Sequence, residues 1–302
     1  MSFHVIMACH NRCELTVQAV RLAQASADRA NAVVSFTVFD DGSSDGTAEQ
    51  LLQLPSAVTI LSGDGSAFWA SGMAQAEARV LEQASVVTGD FLVWLNDDVM
   101  LDVQAFPSIL GAVERAESGS VLVGAMRDID SGEVTYSGLR RAGPHPLSFT
   151  IVPPDARAVP VEAFNGNLVV VPVEVAGTLG GIDGGFSHAL ADIDYGLRAG
   201  RFGIPVLLIP HTLGTCSRNM PIPRSDVKSD WRTFTGPKGG GNFVSLRRIL
   251  RKSNPNSWLL VVLTSYLLWW ARRLLTCLPD IRLQAGRSRI CGLIARRRND
   301  EA

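Results

Sequence analysis

Two adjacent carboxylates at the end of an apolar strand repel each other unless a cation or a donor compensates them. The chain has such a place at Asn96-Asp97-Asp98, directly after the apolar run FLVWL. Hard oxygen ligands suit Mg2+ or Mn2+, which commonly bind through one or two carboxylates plus substrate phosphates. The alternative use of the same residues is a structural turn. A second acidic turn, Asp40-Asp41-Gly42-Ser43-Ser44-Asp45-Gly46-Thr47, follows the β-branched and aromatic residues 33–39. Asp45 or Thr47 suits a helix cap there, whereas Asp40 is placed to accept a hydrogen bond from a ligand such as the N–H of a pyrimidine base. A third acidic stretch, Asp192-Ile193-Asp194, opens the helical sequence DYGLRAG. Read from the residues alone, Asp192 suits the N-cap of that helix.

Residues 3–8 read as a buried strand, and residues 14–30 have the apolar spacing of an amphipathic helix. Strands follow at 33–39, 58–61 and 91–95, with a short helix through Leu54 and another from about Met73 to Gln83 after a glycine-rich loop at 63–72. Strands alternating with helices predict a parallel α/β sheet covered on both faces. In such sheets ligands bind beyond the carboxyl ends of the strands, where both acidic turns fall. Shorter strands are predicted near 121–125, 134–137, 165–172 and 206–209, with a glycine-rich loop at 177–186 and a helix over 192–200. Residues 221–242, rich in Pro and Gly, read as a flexible connection to a basic, helical tail.

The formal net charge of −1 hides a strong asymmetry. Residues 1–223 carry 12 Lys and Arg against 24 Asp and Glu, and residues 224–302 carry 16 against 5. An acidic body with a basic tail argues against a nucleic-acid binder. The five cysteines form no CxxC pair, and Cys9-His10-Asn11-Arg12-Cys13 has weak geometry for zinc. A reducing cytoplasmic setting fits that cysteine usage. The longest apolar run, residues 257–271, is 15 residues long. A spanning helix needs about 20. Arg251-Lys252 and Arg272-Arg273 bracket the run and tryptophans sit near its ends, as in a helix lying on a membrane surface. A helix buried on the body or in a dimer, and a true span, are the other readings.

The segments ACHNR, VFDDGSSDGT, LVWLNDDVML and FNGNLVVVPVEVAGTLGGIDGGFSHALADIDYGLRAGRFGIPVLLIP run in this order across residues 3–220. Together they resemble the family 2 glycosyltransferases of the GT-A fold. Residues 63–72, with Phe68-Trp69 and Ser71-Gly72, look most like the bacterial rhamnosyl- and galactofuranosyltransferase-like branch. The resemblance implies a nucleotide pocket lined by Ala8, Asn11 and Arg12, with Asp40 holding the base. It implies that Asn96, Asp97 and Asp98 match a DxD-type motif, with Asp98 a direct ligand of Mg2+ or Mn2+ and Asn96 an altered first position. Asp192 matches the catalytic base. His211 is a candidate further metal ligand, although Cys216 lies nearer where some relatives carry that histidine. Trp69 is expected to shape the donor or acceptor pocket, His188 to approach acceptor or diphosphate, and Asp194 to orient the acceptor.

The expected protein is an α/β, GT-A (Rossmann-like) enzyme at 1–220, a linker at 221–242 and a basic helical extension at 243–302. Its expected reaction is inverting, metal-dependent transfer of a sugar, rhamnose-type first, from a nucleotide-diphosphate donor to a cell-surface saccharide or lipid-linked acceptor. The expected location is the inner face of the cell membrane, with a homo-oligomer left open. A nucleotidyltransferase would share the layout, but ACHNR lacks the glycine-rich, basic phosphate loop expected of one. A non-catalytic, membrane-recruited binding module is the rival from another class.

Overall fold

The apolar run Ser2–Cys9 forms strand β1, and all but two of its residues are buried, as expected of a strand covered on both faces. A computed structural model of the chain describes residues 1–83, 85–217 and 226–277. In chain order β1 is followed by α1 (Cys13–Arg29), β2 (Val33–Asp40), α2 (Thr47–Leu52), β3 (Val58–Ser62), α3 (Phe68–Leu81) and β4 (Phe91–Leu95). Then come β5 (Met100–Leu101), α4 (Ala105–Arg115), β6 (Val121–Arg127), β7 (Val134–Tyr136), β8 (Gly138–Arg141), β9 (Phe149–Ile151), β10 (Val159–Pro160) and β11 (Ala163–Phe164). The remainder is β12 (Leu168–Pro172), α5 (Val173–Leu179), α6 (Ala191–Arg201), β13 (Val206–Thr215), α7 (Val227–Thr235), α8 (Phe243–Ser253) and α9 (Trp258–Cys277).

The main sheet has the order β10-β13-β6-β12-β4-β1-β2-β3. From β3 to β4 it is parallel, with β1 pairing both β2 and β4. Strand order therefore reverses beside β1, and the carboxyl ends of β1 and β4 diverge there into a crevice. The parallel arrangement read from the first four strands holds there and gives way farther along. β12 runs antiparallel to both β4 and β6, while β13 returns parallel to β6. A second sheet of β11, β8 and β9 carries the irregular region.

Alternation along β1 divides the core. Phe3, Val5, Met7 and Cys9 face α1 and α4. Phe3 stacks on Phe91 at 5.5 Å and meets Phe106 edge-on at 5.6 Å. On the opposite face, Trp94 is fully buried between Trp69, Phe164 and Tyr195, with ring centroids 6.1, 5.9 and 4.8 Å away. Edge-on packing of this kind adds about 0.5–1.5 kcal/mol per pair beyond area burial.

Three elements depart from expectation. α3 begins at Phe68, inside the segment read as glycine-rich loop, because Asp41 Oδ2 accepts the Phe68 N–H at 2.9 Å and fixes the helix start. α5 occupies part of the second glycine-rich stretch and ends at Gly180, whose φ of 74° suits glycine. α7 lies within the segment read as a connection, and Asp226 caps it by accepting from Lys228 N and Ser229 N.

The chain divides into two units, Met1–Asn256 and Ser257–Ala302. Of the second, α9 is described, and the basic tail beyond residue 277 lies outside the described residues. Among the described residues no helix is long and apolar enough to cross a membrane.

Candidate active site

A cavity of about 530 Å³ opens at the carboxyl ends of β1 and β4. Ala8, Cys9, His10 and Arg12 line it from the end of β1, and Asn96, Asp97 and Asp98 from the end of β4. Asp41, Gly65, Phe68, Trp69, Tyr136, Asn167, His188 and Lys238 complete the wall.

The charge problem posed by Asp97 and Asp98 has a direct solution. Arg12 Nη1 donates to Asp97 Oδ1 and Asp98 Oδ2, both at 3.0 Å. Burial pushes the Asp97 carboxyl up to about 6, with Asp98 adding to the rise and Arg12 opposing it. Reciprocally, Asp97 and then Asp98 raise the Arg12 pKa further against desolvation. Asn96, the altered first position, accepts the Trp69 Nε1–H at 2.8 Å, which fixes the indole against the cavity.

Asp192 is not the N-cap of α6; that position is Leu190, in a left-handed conformation with φ 79°. The Asp192 carboxylate accepts from Gly166 N at 3.1 Å and Ile193 N at 2.8 Å. Burial raises its pKa, and the Ile193 and Gly166 hydrogen bonds oppose that rise. Gly166 immediately precedes Asn167, a lining residue, and a Cβ on it would meet Trp69 at 2.8 Å. Asp192 is not itself among the lining residues; Gly166 links it to Trp69 and Asn96, which are. Phe68, which lines the cavity, and Leu190, the N-cap of the helix that carries Asp192, are two of the five non-glycine residues with positive φ among those described.

Several expected residues sit elsewhere. Asp40 is buried at the end of β2 and accepts from Ser43 N at 2.9 Å; its neighbour Asp41 is the one lining the cavity. Asn11 lies outside the lining and pins the acidic turn, accepting from Ser44 N at 2.9 Å and donating its own N–H to Ser43 Oγ. Asp45 accepts from Cys13 N and Thr47 N, so it ties the starts of α1 and α2. Asp194 is buried in an ion pair with Arg198 at 2.8 Å and Lys252 at 2.9 Å, away from the cavity lining. His211 is exposed in a bulged part of β13 with φ 61°, its N–H donating to Asp155 O. Cys216, not His211, approaches Asp98, with Sγ 3.5 Å from Oδ1.

No group of three or more His, Cys, Asp or Glu side chains is arranged to hold a metal among the described residues. The Cys216 thiol, pushed up to about 12 by burial and then by Asp98, stays protonated and is a poor ligand for a hard cation. Asp97 and Asp98 are the hard oxygen donors of the lining, with Asp98 Oδ2 accepting from Arg12 and Oδ1 facing the Cys216 thiol. A Mg2+ or Mn2+ ion fits this wall on the terms common for such ions, one or two carboxylates with the other oxygens from substrate phosphates and water.

Sequence reasoning did not single out His10, Asp41, Tyr136, Asn167 or Lys238 as site residues. Asp41 carries the most structural load, accepting from Gly65, Ala67 and Phe68 N–H groups and so welding the end of β2 to the start of α3. Its place in the acidic turn was visible; its three donors come from a loop more than twenty residues away.

The sequence profile of glycosyl transferase family 2 matches residues 4–164, more than half of the chain. The chain belongs to this family. No curated protein sequence matches it significantly. Among solved structures, it is similar to residues 1–349 of S. aureus TarS at 13% identity and TM-score 0.51, over 72% of this chain and 60% of that one. It is also similar to the mannosyltransferase PcManGT from Pyrobaculum calidifontis, in complex with GDP-Man and Mn2+, at 15% identity and TM-score 0.52, over 95% and 79% of the two chains. GalNAc-T7 with UDP, GalNAc and Mn2+ matches at 14% identity and TM-score 0.53, over 71% of this chain and 44% of that one. The likenesses establish the GT-A arrangement of the family member described here.

Proposed function

We propose that the protein is an inverting glycosyltransferase that moves a sugar from a nucleoside-diphosphate donor to a hydroxyl of a saccharide or lipid-linked saccharide on a growing cell-surface glycan. The observation that carries the reading is the cavity at the strand-order reversal, walled by Asp97 and Asp98, in a chain of glycosyl transferase family 2. The complexes of PcManGT with GDP-Man and Mn2+ and of GalNAc-T7 with UDP support a donor of this class. A rhamnose-type sugar is the first choice, supported by the resemblance of residues 63–72 to the rhamnosyl and galactofuranosyl branch.

In this reading Asp192 is the catalytic base. The acceptor oxygen attacks the anomeric carbon from the face opposite the diphosphate. The new C–O bond forms as the bond to the diphosphate oxygen breaks, and the hydroxyl proton passes to Asp192. The Gly166 and Ile193 N–H groups hold the carboxylate in one orientation, and its raised pKa makes it a stronger base than an exposed aspartate. Ala8, Arg12, Trp69, Asn96, Asp97 and His188 bound the donor pocket, and Asp40 and Asn11 hold the acidic turn. Asp98 would hold a Mg2+ or Mn2+ ion, which supplies positive charge to the departing diphosphate when bound.

Asp192→Asn tests the assignment. Transfer should fall by roughly 10²–10⁴-fold, while donor binding, read as thermal stabilisation, is retained. Intact turnover would exclude Asp192 as the base. Absence of any nucleotide-sugar hydrolysis or transfer by the wild type with Mn2+ or Mg2+ would sink the enzymatic reading.

The basic residues of the C-terminal segment, with the apolar α9, are read as a peripheral membrane anchor on an anionic leaflet. Each Lys or Arg near such a surface contributes about 1 kcal/mol.

A further inference from the structure

The lining of the cavity contains one cation from outside the expected catalytic region. Lys238 sits in the Gly236-Pro237-Lys238-Gly239-Gly240-Gly241 loop between α7 and α8, a segment that sequence alone read as a linker. Its neighbours hold it there. Ser187 Oγ donates to Pro237 O at 2.9 Å and also bonds Ser245 Oγ on α8 at 2.8 Å. Gly241 N donates to Phe234 O at 2.9 Å, and Asn242 Nδ2 reaches Thr235 O and Gly236 O at 3.3 Å. Two of the glycines are sterically required: a Cβ on Gly239 would lie 2.0 Å from Phe234 O, and one on Gly241 2.3 Å from the Phe234 ring. Hence the loop is held at Pro237, Gly239 and Gly241, and it carries a cation to the cavity.

The ionic accounting of the wall leaves that cation unspent. Arg12 is shared by Asp97 and Asp98. Asp41 is satisfied by three backbone N–H groups. Lys238 forms no ion pair or hydrogen bond among the described residues and is exposed toward solvent. Beside it, His188 follows Ser187 in sequence and also lines the cavity. Its buried Nδ1 has no hydrogen-bond partner among the described residues. Burial first, then Lys238 and Arg12, lower the His188 pKa, so the imidazole is neutral and presents a hydrogen-bonding nitrogen rather than a second charge. An unpaired ammonium next to an orphaned neutral imidazole is a pairing that a phosphate oxygen satisfies.

We propose that Lys238 is a donor-binding residue that contacts the diphosphate of the nucleotide sugar, with His188 beside it, so that the α7–α8 segment is a working part of the donor site. The inference rests on the reading of the cavity as a nucleoside-diphosphate site. The test is isothermal titration of the full chain with inorganic pyrophosphate in the presence of Mg2+. Lys238→Ala should bind roughly ten-fold or more weakly, the loss of one charge-assisted hydrogen bond. Lys238→Arg should stay near wild type, and the melting temperature without ligand should be unchanged in both. Wild-type binding with Lys238→Ala within two-fold of it overturns the inference and leaves the cavity's assignment standing. Weakened binding accompanied by a lowered unliganded melting temperature also overturns it, because Lys238 would then act through the fold. Failure of the wild type itself to bind pyrophosphate overturns the diphosphate reading and the role of Lys238 together.

Discussion

Gly166 joins the candidate base to the aromatic wall, and a single methyl group there is enough to disturb both. A Cβ would stand 2.8 Å from the Trp69 ring and 3.4 Å from Asp192 Cβ. Gly166→Ala should therefore cost about 1–3 kcal/mol through overpacking and lower kcat more than it raises the donor KM, measured by denaturant melts and steady-state kinetics. Asp192 adds a pH dependence of known sign. Because its carboxyl is held above the ordinary range, turnover should fall as pH drops through that raised pKa, and a profile flat down to the ordinary aspartate range would contradict it. Glu77 is the second buried carboxyl with consequences. It accepts the Ile182 N–H, yet burial pushes it up to about 7 despite that bond and Arg198. A folded-state pKa above the unfolded one means stability is highest in acid, declines as pH rises toward about 7, and levels off above it. Glu77→Gln should remove that slope and gain roughly 1–3 kcal/mol at pH 8 relative to the wild-type trend, as read by urea unfolding at pH 5 and pH 8. None of these residues was legible as a partner of the others, since Gly166 and Glu77 act through tertiary neighbours that spacing does not reveal.

α8 is fastened by charge as much as by its apolar face. Leu246, Ile249 and Leu250 are buried. Arg248 meets Asp183 through two 2.7 Å contacts, and Lys252 bridges Asp183 at 2.5 Å and Asp194 at 2.9 Å. Burial would raise the Asp183 pKa, but Arg248 and Lys252 hold it well below the usual carboxylate range, so this contribution is present at neutral pH and lost only in strong acid. Asp183→Asn should cost about 1–2 kcal/mol, at the modest end because Arg248 is half-exposed. Amide exchange should accelerate first in α8 and the adjoining 236–241 loop. At this scale the sequence was a good guide wherever an element is specified locally. The apolar runs of β1, β2 and β4, and the acidic residues ending the last two, stand out by composition alone. Locally ambiguous segments were misjudged. Glycines concealed the beginning of α3, which depends on Asp41, and the extent of α5. Pro and Gly around 221–242 concealed α7, whose cap is Asp226. The antiparallel insertion of β12 was likewise invisible, because a short apolar run carries no mark of its direction.

At the scale of the whole chain, charge and architecture divide at different places. The tail's positive excess begins near residue 224, but the unit holding the cavity extends to Asn256 and includes α7 and α8. Residues 257–302 carry 8 Lys and Arg against 3 Asp and Glu, enough for an electrostatic contribution to membrane binding in addition to the apolar helix. Deleting them should leave pyrophosphate binding and the melting transition of Met1–Asn256 intact while abolishing salt-sensitive co-sedimentation with anionic vesicles. Retained co-sedimentation would place the anchor elsewhere. The cavity's wall also sets a timetable for the chain. It is built from Ala8 and Arg12 at one end and Lys238 at the other, the latter hydrogen-bonded through Pro237 to Ser187. Contacts so distant in sequence close last, after the local strands and helices have formed. During synthesis, β1 through β4 emerge long before the 236–241 loop, so a nascent chain carries Arg12, Asp97 and Asp98 before Lys238 arrives. On the proposal that Lys238 contacts the diphosphate, full binding competence would be a late event in the maturation of each molecule, following the docking of α8.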